Sequence, residues 1–139
     1  MPTIQKSIRI PEKLITELQS ISQESGKDFS TVTKELLQEA IKMRRCPGVI
    51  FTEGVSGCRA RIAGTGIEVW ELIAGYKSVD EDFQRLRSAY HWLTDQQLRS
   101  GIGYWKAYPD EIDRLIDQNE SWTCEKINKR YPFFESMRS

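Results

Sequence analysis

Ten residues near the start, QKSIRIPEKL from Gln5 to Leu14, constrain this chain more than any others. Polar and apolar residues alternate through Ile10, a period that suits a strand and no helix. Pro11 follows, at a place where a first helical turn tolerates proline. Leu14, Leu18 and Ile21 then recur at helical spacing with Ile15 beside them, and Gly26 is a helix stop. A second helix is expected from Asp28–Ser30, where good N-caps cluster. Its apolar positions are Phe29, Val32, Leu36, Leu37, Ala40, Ile41 and Met43, and it ends in KMRRCPG. Residues 1–45 therefore read as strand, helix, helix, with no second strand near the first.

Such a unit is too small to bury a sound core alone, and its strand would have two bare edges. Both problems vanish if two chains pair their strands about a two-fold axis. Lys6, Ile8 and Ile10 then share one face, with the isoleucines toward the core. Thr3, Gln5, Ser7 and Arg9 share the other, wholly polar face.

The strand QKSIRIP, the turn SGKDFS and the helix STVTKELLQEAI resemble the ribbon-helix-helix family of bacterial DNA-binding repressors, of the CopG and Arc kind. The resemblance covers about the first third of the chain. It implies a homodimer formed through the N-terminal strand and helices, with the paired strands in the major groove of operator DNA. By position it makes Gln5, Ser7 and Arg9 base readers, and Phe29, Ser30 and Thr31 the phosphate-gripping start of the second helix.

Residues 46–57 form a linker and the start of a hairpin, whose β-rich pieces are Val49–Phe51 and Cys58–Ile62. Beyond it the pattern is helical. Thr65 with Glu68, Ser78 with Glu81, and Thr94 with Gln97 each have capping-box spacing. Ile67, Trp70, Ile73 and Ala74 make one inner face, Phe83, Leu86 and Tyr90 another, Leu98, Ile102 and Trp105 a third. Trp70, Trp92, Trp105 and Tyr108 are expected in the core. Pro109 stops that third helix, and a shorter one follows from Asp110. The expected fold class is mainly α: a dimeric ribbon-helix-helix, then a small hairpin and helical bundle.

RIAGTGIEVWELI and YHWLTDQQLRSGIGYWKAYPDEID resemble a bacterial domain of unknown function, number 433, over residues 58–117. That domain is often found in type II antitoxins encoded beside PIN-like ribonuclease toxins. Gly66 stands where the family commonly has arginine, and His91-Trp92 replace its usual proline turn. The helices expected near 80–90 and 94–106 also resemble a helix-turn-helix, whose reading residues would be Gln96, Gln97, Arg99 and Ser100. Acidic residues between Asp80 and Asp117 weigh against DNA there. Residues 118–139 are a tail in which Lys129, Arg130, Tyr131, Phe133, Phe134 and Arg138 would suit a groove beside an acidic nuclease site.

Lys and Arg together match Asp and Glu, so a uniformly basic nucleic-acid coat protein is excluded, though a local basic face is not. Lys42, Arg44 and Arg45 could face phosphates, but basic residues at a helix C-terminus more often complement the helix dipole. His91 is the only histidine, and no acid or cysteine pairs with it in any motif of general acid–base chemistry. No enzyme, no cofactor and no metal site is expected. The carboxylates at Asp80–Asp82 and Asp110–Asp113 read as helix caps. Cys46, Cys58 and Cys124 lack zinc or disulfide spacing and are expected as reduced thiols. No apolar run approaches the ~20 residues of a membrane span, and no signal-peptide core is present, so a cytoplasmic location without membrane contact is expected.

The expected function is that of a type II antitoxin and transcriptional autorepressor: operator DNA held by the N-terminal dimer, a PIN-like ribonuclease toxin held by the second domain and tail. A plain DNA-binding regulator with no toxin, its second domain sensing a ligand or adding oligomer contacts, is the alternative.

Overall fold

The structure, a computed structural model, describes residues 2–54 and 57–121. It divides into two units, Met1–Lys42 and Met43–Ser139. Among the described residues it is mainly helical, with one small antiparallel sheet.

The first unit holds α1 (Glu12–Ser25) and most of α2 (Phe29–Arg45). Pro11 precedes α1, and its carbonyl accepts the N–H groups of Leu14 and Ile15. Gly26 ends α1 at φ 72°, a left-handed turn for which glycine has no steric cost. Asp28 caps α2 by accepting the Thr31 N–H at 2.8 Å.

The expected N-terminal strand is not formed in the single chain. Residues 2–11 have no regular structure, and Ile4 and Ile8 are about four-fifths exposed. The reason is elementary: a strand needs the N–H and C=O groups of a neighbour, and this chain supplies none there. Neither helix buries an apolar face. Val32 is the single buried hydrophobic side chain in residues 2–42, while Leu14, Ile21, Leu36, Leu37 and Ile41 are exposed.

The second unit has a true core. β1 (Val49–Gly54) pairs antiparallel with β2 (Gly57–Ile62), with Val49 opposite Ile62 and Phe51 opposite Ala60 on the inner face. Four helices follow: α3 (Val69–Ser78), α4 (Phe83–Ala89), α5 (Asp95–Ala107) and α6 (Pro109–Ser121). Ile62, Val69, Leu72, Ile73, Leu86, Leu98, Tyr104 and Ile112 are completely buried. The close approach of α3 and α5 depends on Gly101. A Cβ there would lie 2.5 Å from Leu72 Cδ2 and 3.3 Å from Ile62 Cδ1.

Of the three expected capping boxes only Thr94–Gln97 forms, with both reciprocal hydrogen bonds. Thr65 Oγ1 instead accepts the Ile67 N–H and donates to the Ile62 carbonyl, tying the turn that Gly64 enters at φ 81°. Helix α3 therefore starts only at Val69. Ser78 still belongs to α3, and Asp80 and Glu81 are left-handed, at φ 58° and 56°. Asp82 is the cap of α4, accepting from Gln84 and Arg85. The helix expected after Pro109 is not short: α6 matches α5 at 13 residues. Trp70, Trp105 and Tyr108 pack against the core as expected, but Trp92 is 61% exposed, stacked at an angle on Tyr90 and edge-on to His91.

Candidate nucleic-acid interface

Gln5, Ser7 and Arg9 are exposed, as groups that touch a partner must be. Without a ladder their side chains have no fixed common face. The start of α2 is better defined. Phe29, Ser30 and Thr31 are exposed in its first turn, where helical N–H groups lack intrahelical partners. Asp28 already takes the Thr31 N–H. The Thr31 hydroxyl, and then that N–H, hold the Asp28 carboxyl below the ordinary carboxylate range. A phosphate docking at this helix start would find one donor engaged and a negative charge beside the others.

The outer face of the hairpin carries two arginines. Arg59 and Arg61 lie opposite Thr52 and Ile50. Arg59 stands 4.0 Å from the Glu68 carboxylate, which also accepts the Trp70 indole N–H at 2.9 Å. Arg61 reaches the Gly66 carbonyl at 3.4 Å. Burial, more than the neighbouring Glu68, raises the Glu71 carboxyl above its ordinary pKa. These groups brace the turn between β2 and α3. At Gly66 itself no atom comes within 4 Å of a would-be Cβ, so a side chain there would meet open space.

Helix α5 carries the other candidate residues. Gln97 is consumed by the capping box and by a bond from its side-chain amide to the Ala63 carbonyl. Gln96 and Arg99 remain exposed, and Ser100 donates to the Gln96 carbonyl. Arg45 shares an open cleft of about 330 Å³ with Gln96, Arg99, Ser100 and Gly103. Cys46, Pro47, Tyr104 and Ala107 give the cleft its less polar walls. Sequence reading alone treats Arg45 as a solvated helix end. The only local signal of its true position is the break at Pro47-Gly48, which turns the chain back toward α5.

Among the described residues no group of His, Cys, Asp and Glu could hold a metal ion, and no helix is long and apolar enough to cross a membrane. Cys46 is buried and Cys58 exposed. Cys124 and the tail candidates Lys129, Arg130, Tyr131, Phe133, Phe134 and Arg138 lie outside the described residues.

No family model matches the chain, and no curated protein does. Among solved structures the chain is similar to the crystal structure of a DUF433 member protein from Anabaena variabilis. The two share 29% identity at a TM-score of 0.44, over 78% of this chain and 99% of the other.

Proposed function

We propose that this protein is a type II antitoxin and autorepressor. Two N-terminal units pair and bind operator DNA, while the second unit and the tail hold a PIN-like ribonuclease toxin. The observation that carries the reading is the mismatch in the first unit. Two amphipathic helices and an alternating segment leave Ile4, Ile8, Leu14, Leu36, Leu37 and Ile41 exposed, with only Val32 buried. Apolar surface so arranged is typical of an element whose core is completed by a second copy.

In that dimer the segments from Thr3 to Ile10 pair as a two-stranded ribbon. Ile8 and Ile10 turn inward over α1 and α2; Gln5, Ser7 and Arg9 turn outward. A ribbon of this width enters the major groove, where an arginine bidentate to guanine contributes about 1–3 kcal/mol of discrimination. The second unit folds around its own core, so it can hold a partner while the ribbon is on DNA. Lys129 and Arg130 would then oppose the acidic site of the nuclease, and Tyr131, Phe133, Phe134 and Arg138 would anchor the tail.

Co-expression with the neighbouring reading frame tests this. A nuclease that co-purifies and is silent in the complex, together with a shift of the protein's own upstream DNA lost in Arg9→Ala, is the expected result. Release of active nuclease by truncation after Gln118 assigns the tail its role. A DNA shift with no co-purifying partner would favour the plain regulator.

A further inference from the structure

We infer that the second unit has a nucleic-acid contact of its own: Arg45, Arg99 and Lys106, around the cleft on α5, hold the phosphodiester backbone of duplex DNA without reading its sequence.

The argument begins from which cations in this unit are already committed. Arg59, Lys77, Arg85 and Arg87 each face a carboxylate, Glu68, Asp113, Asp80 and Asp95 respectively. Arg45, Arg99 and Lys106 form no such ion pair among the described residues, and all three are exposed. Asp95, the only acid on α5, is tied to Arg87 at 3.1 Å. On α6, Glu111 accepts from the Tyr104 hydroxyl and Asp113 from Lys77 and the Trp105 indole, while Asp110 is exposed in the first turn of that helix. Along α5 itself the exposed stripe carries Arg99 and Lys106 and no acid beyond the paired Asp95.

Arg99 is held as a ligand-binding arginine needs to be. Its guanidinium lies 4.7 Å from the Phe83 ring centre, so one planar face is covered while the N–H edges stay free. It borders two clefts, the one shared with Arg45 and another of about 390 Å³ shared with Tyr76, Phe83, Ile102 and Lys106. Gln96, Arg99, Gly103 and Lys106 recur at intervals of three and four, one stripe of the helix. Gly103 leaves its middle open, with nothing within 4 Å of a would-be Cβ. From Arg99 to Lys106 the helix rises about 10 Å, a length of duplex axis over which one strand carries about three phosphates.

The reading is independent of the N-terminal ribbon, and the experiment separates the two. Full-length protein is titrated onto a labelled duplex of about 30 bp and unrelated sequence, across about 50–200 mM salt. Each lost phosphate contact lowers the slope of log K against log salt by about 0.9. Arg45→Ala/Arg99→Ala/Lys106→Ala is therefore expected to flatten the slope by nearly 3. Wild type then loses about 40-fold more affinity than the variant across that range. Arg85→Ala/Arg87→Ala, which removes paired cations, is expected to leave the slope unchanged. If the triple variant misfolds, the exposed Lys106→Gln alone carries the test, with a flattening of about 0.9. Arg9→Ala lowers affinity for the protein's own upstream DNA and leaves this slope largely intact. The inference is overturned by a triple variant with the wild-type slope, by equal loss in the control, or by wild type that does not bind the duplex at low salt. It is equally overturned if the triple variant keeps DNA and instead loses an acidic protein partner.

Discussion

Two glycines on α5 offer a measurement in which packing and propensity pull in opposite directions. Gly101→Ala and Gly103→Ala remove the same helix penalty, about 1 kcal/mol each. At Gly103 the new methyl meets nothing within 4 Å, so the variant gains stability, by about 0.5–1 kcal/mol. At Gly101 it arrives 2.5 Å from Leu72 Cδ2 and 3.3 Å from Ile62 Cδ1, and both residues are completely buried, so neighbouring core side chains must shift with them. Overpacking of this kind costs about 1–3 kcal/mol, enough to cancel or exceed the propensity gain. The two variants should differ by about 1–3 kcal/mol, with Gly103→Ala the more stable. For a unit of this size that is a melting-point difference of at least about 4 °C. Trp70, Trp92, Trp105 and Trp122 all fall in the second unit, so tryptophan fluorescence follows its unfolding without a signal from the first. If Gly101→Ala is as stable as Gly103→Ala, α3 and α5 do not meet as described, and the placement of the α5 stripe fails with them.

The remaining predictions follow from the titrating groups. Burial pushes the Cys46 thiol up, so native protein carrying Cys124→Ser should alkylate at Cys58 alone, as peptide mapping would show. Fast modification of Cys46 would contradict its place in the core. The Glu71 carboxyl is raised, chiefly by burial. The folded state therefore binds that proton more tightly than the unfolded chain, and stability falls as pH rises from the ordinary value through the folded pKa. Glu71→Gln should remove this fall, seen in urea midpoints between about pH 4 and pH 8. Asp28 is depressed, so its cap stabilises α2 above the ordinary carboxylate pKa and the benefit is lost as pH drops through the lower folded value. Asp28→Asn keeps an acceptor for Thr31 and removes the charge. It should tighten operator binding a few-fold, and weaker binding would argue against phosphate contact at this helix start.

What the sequence revealed was local. Gly26, Pro11 and the Thr94–Gln97 box each act on neighbours within a few residues, and all three stand where the pattern puts them. The other two boxes have the right spacing but lose to stronger local competitors. Thr65 is used by the turn after β2, and Asp82 captures the start of α4 once Asp80 and Glu81 turn left-handed. Trp92 looked apolar enough for the core, but the turn before α5 leaves it outside. The meeting of Arg45 with Gln96 and Arg99 was illegible because it joins residues some fifty positions apart. The alternation from Gln5 to Ile10 is plain in the sequence, yet the ladder it calls for belongs to another molecule.

That ladder is the centre of the account, and a cysteine placed on it measures it directly. Two strands paired antiparallel about a two-fold axis bring residues near their midpoint face to face, with Cα atoms about 4.5–5.5 Å apart. A disulfide spans that distance. For a strand from Thr3 to Ile10 the midpoint lies between Lys6 and Ser7, and Ser7 is beside it. Ser7→Cys, in a chain also carrying Cys58→Ser and Cys124→Ser, should oxidise rapidly to a covalent dimer that a reductant returns to single chains on a denaturing gel. A variant that stays monomeric under mild oxidation at concentrations where wild type binds its operator would contradict the paired ribbon, and with it the autorepressor.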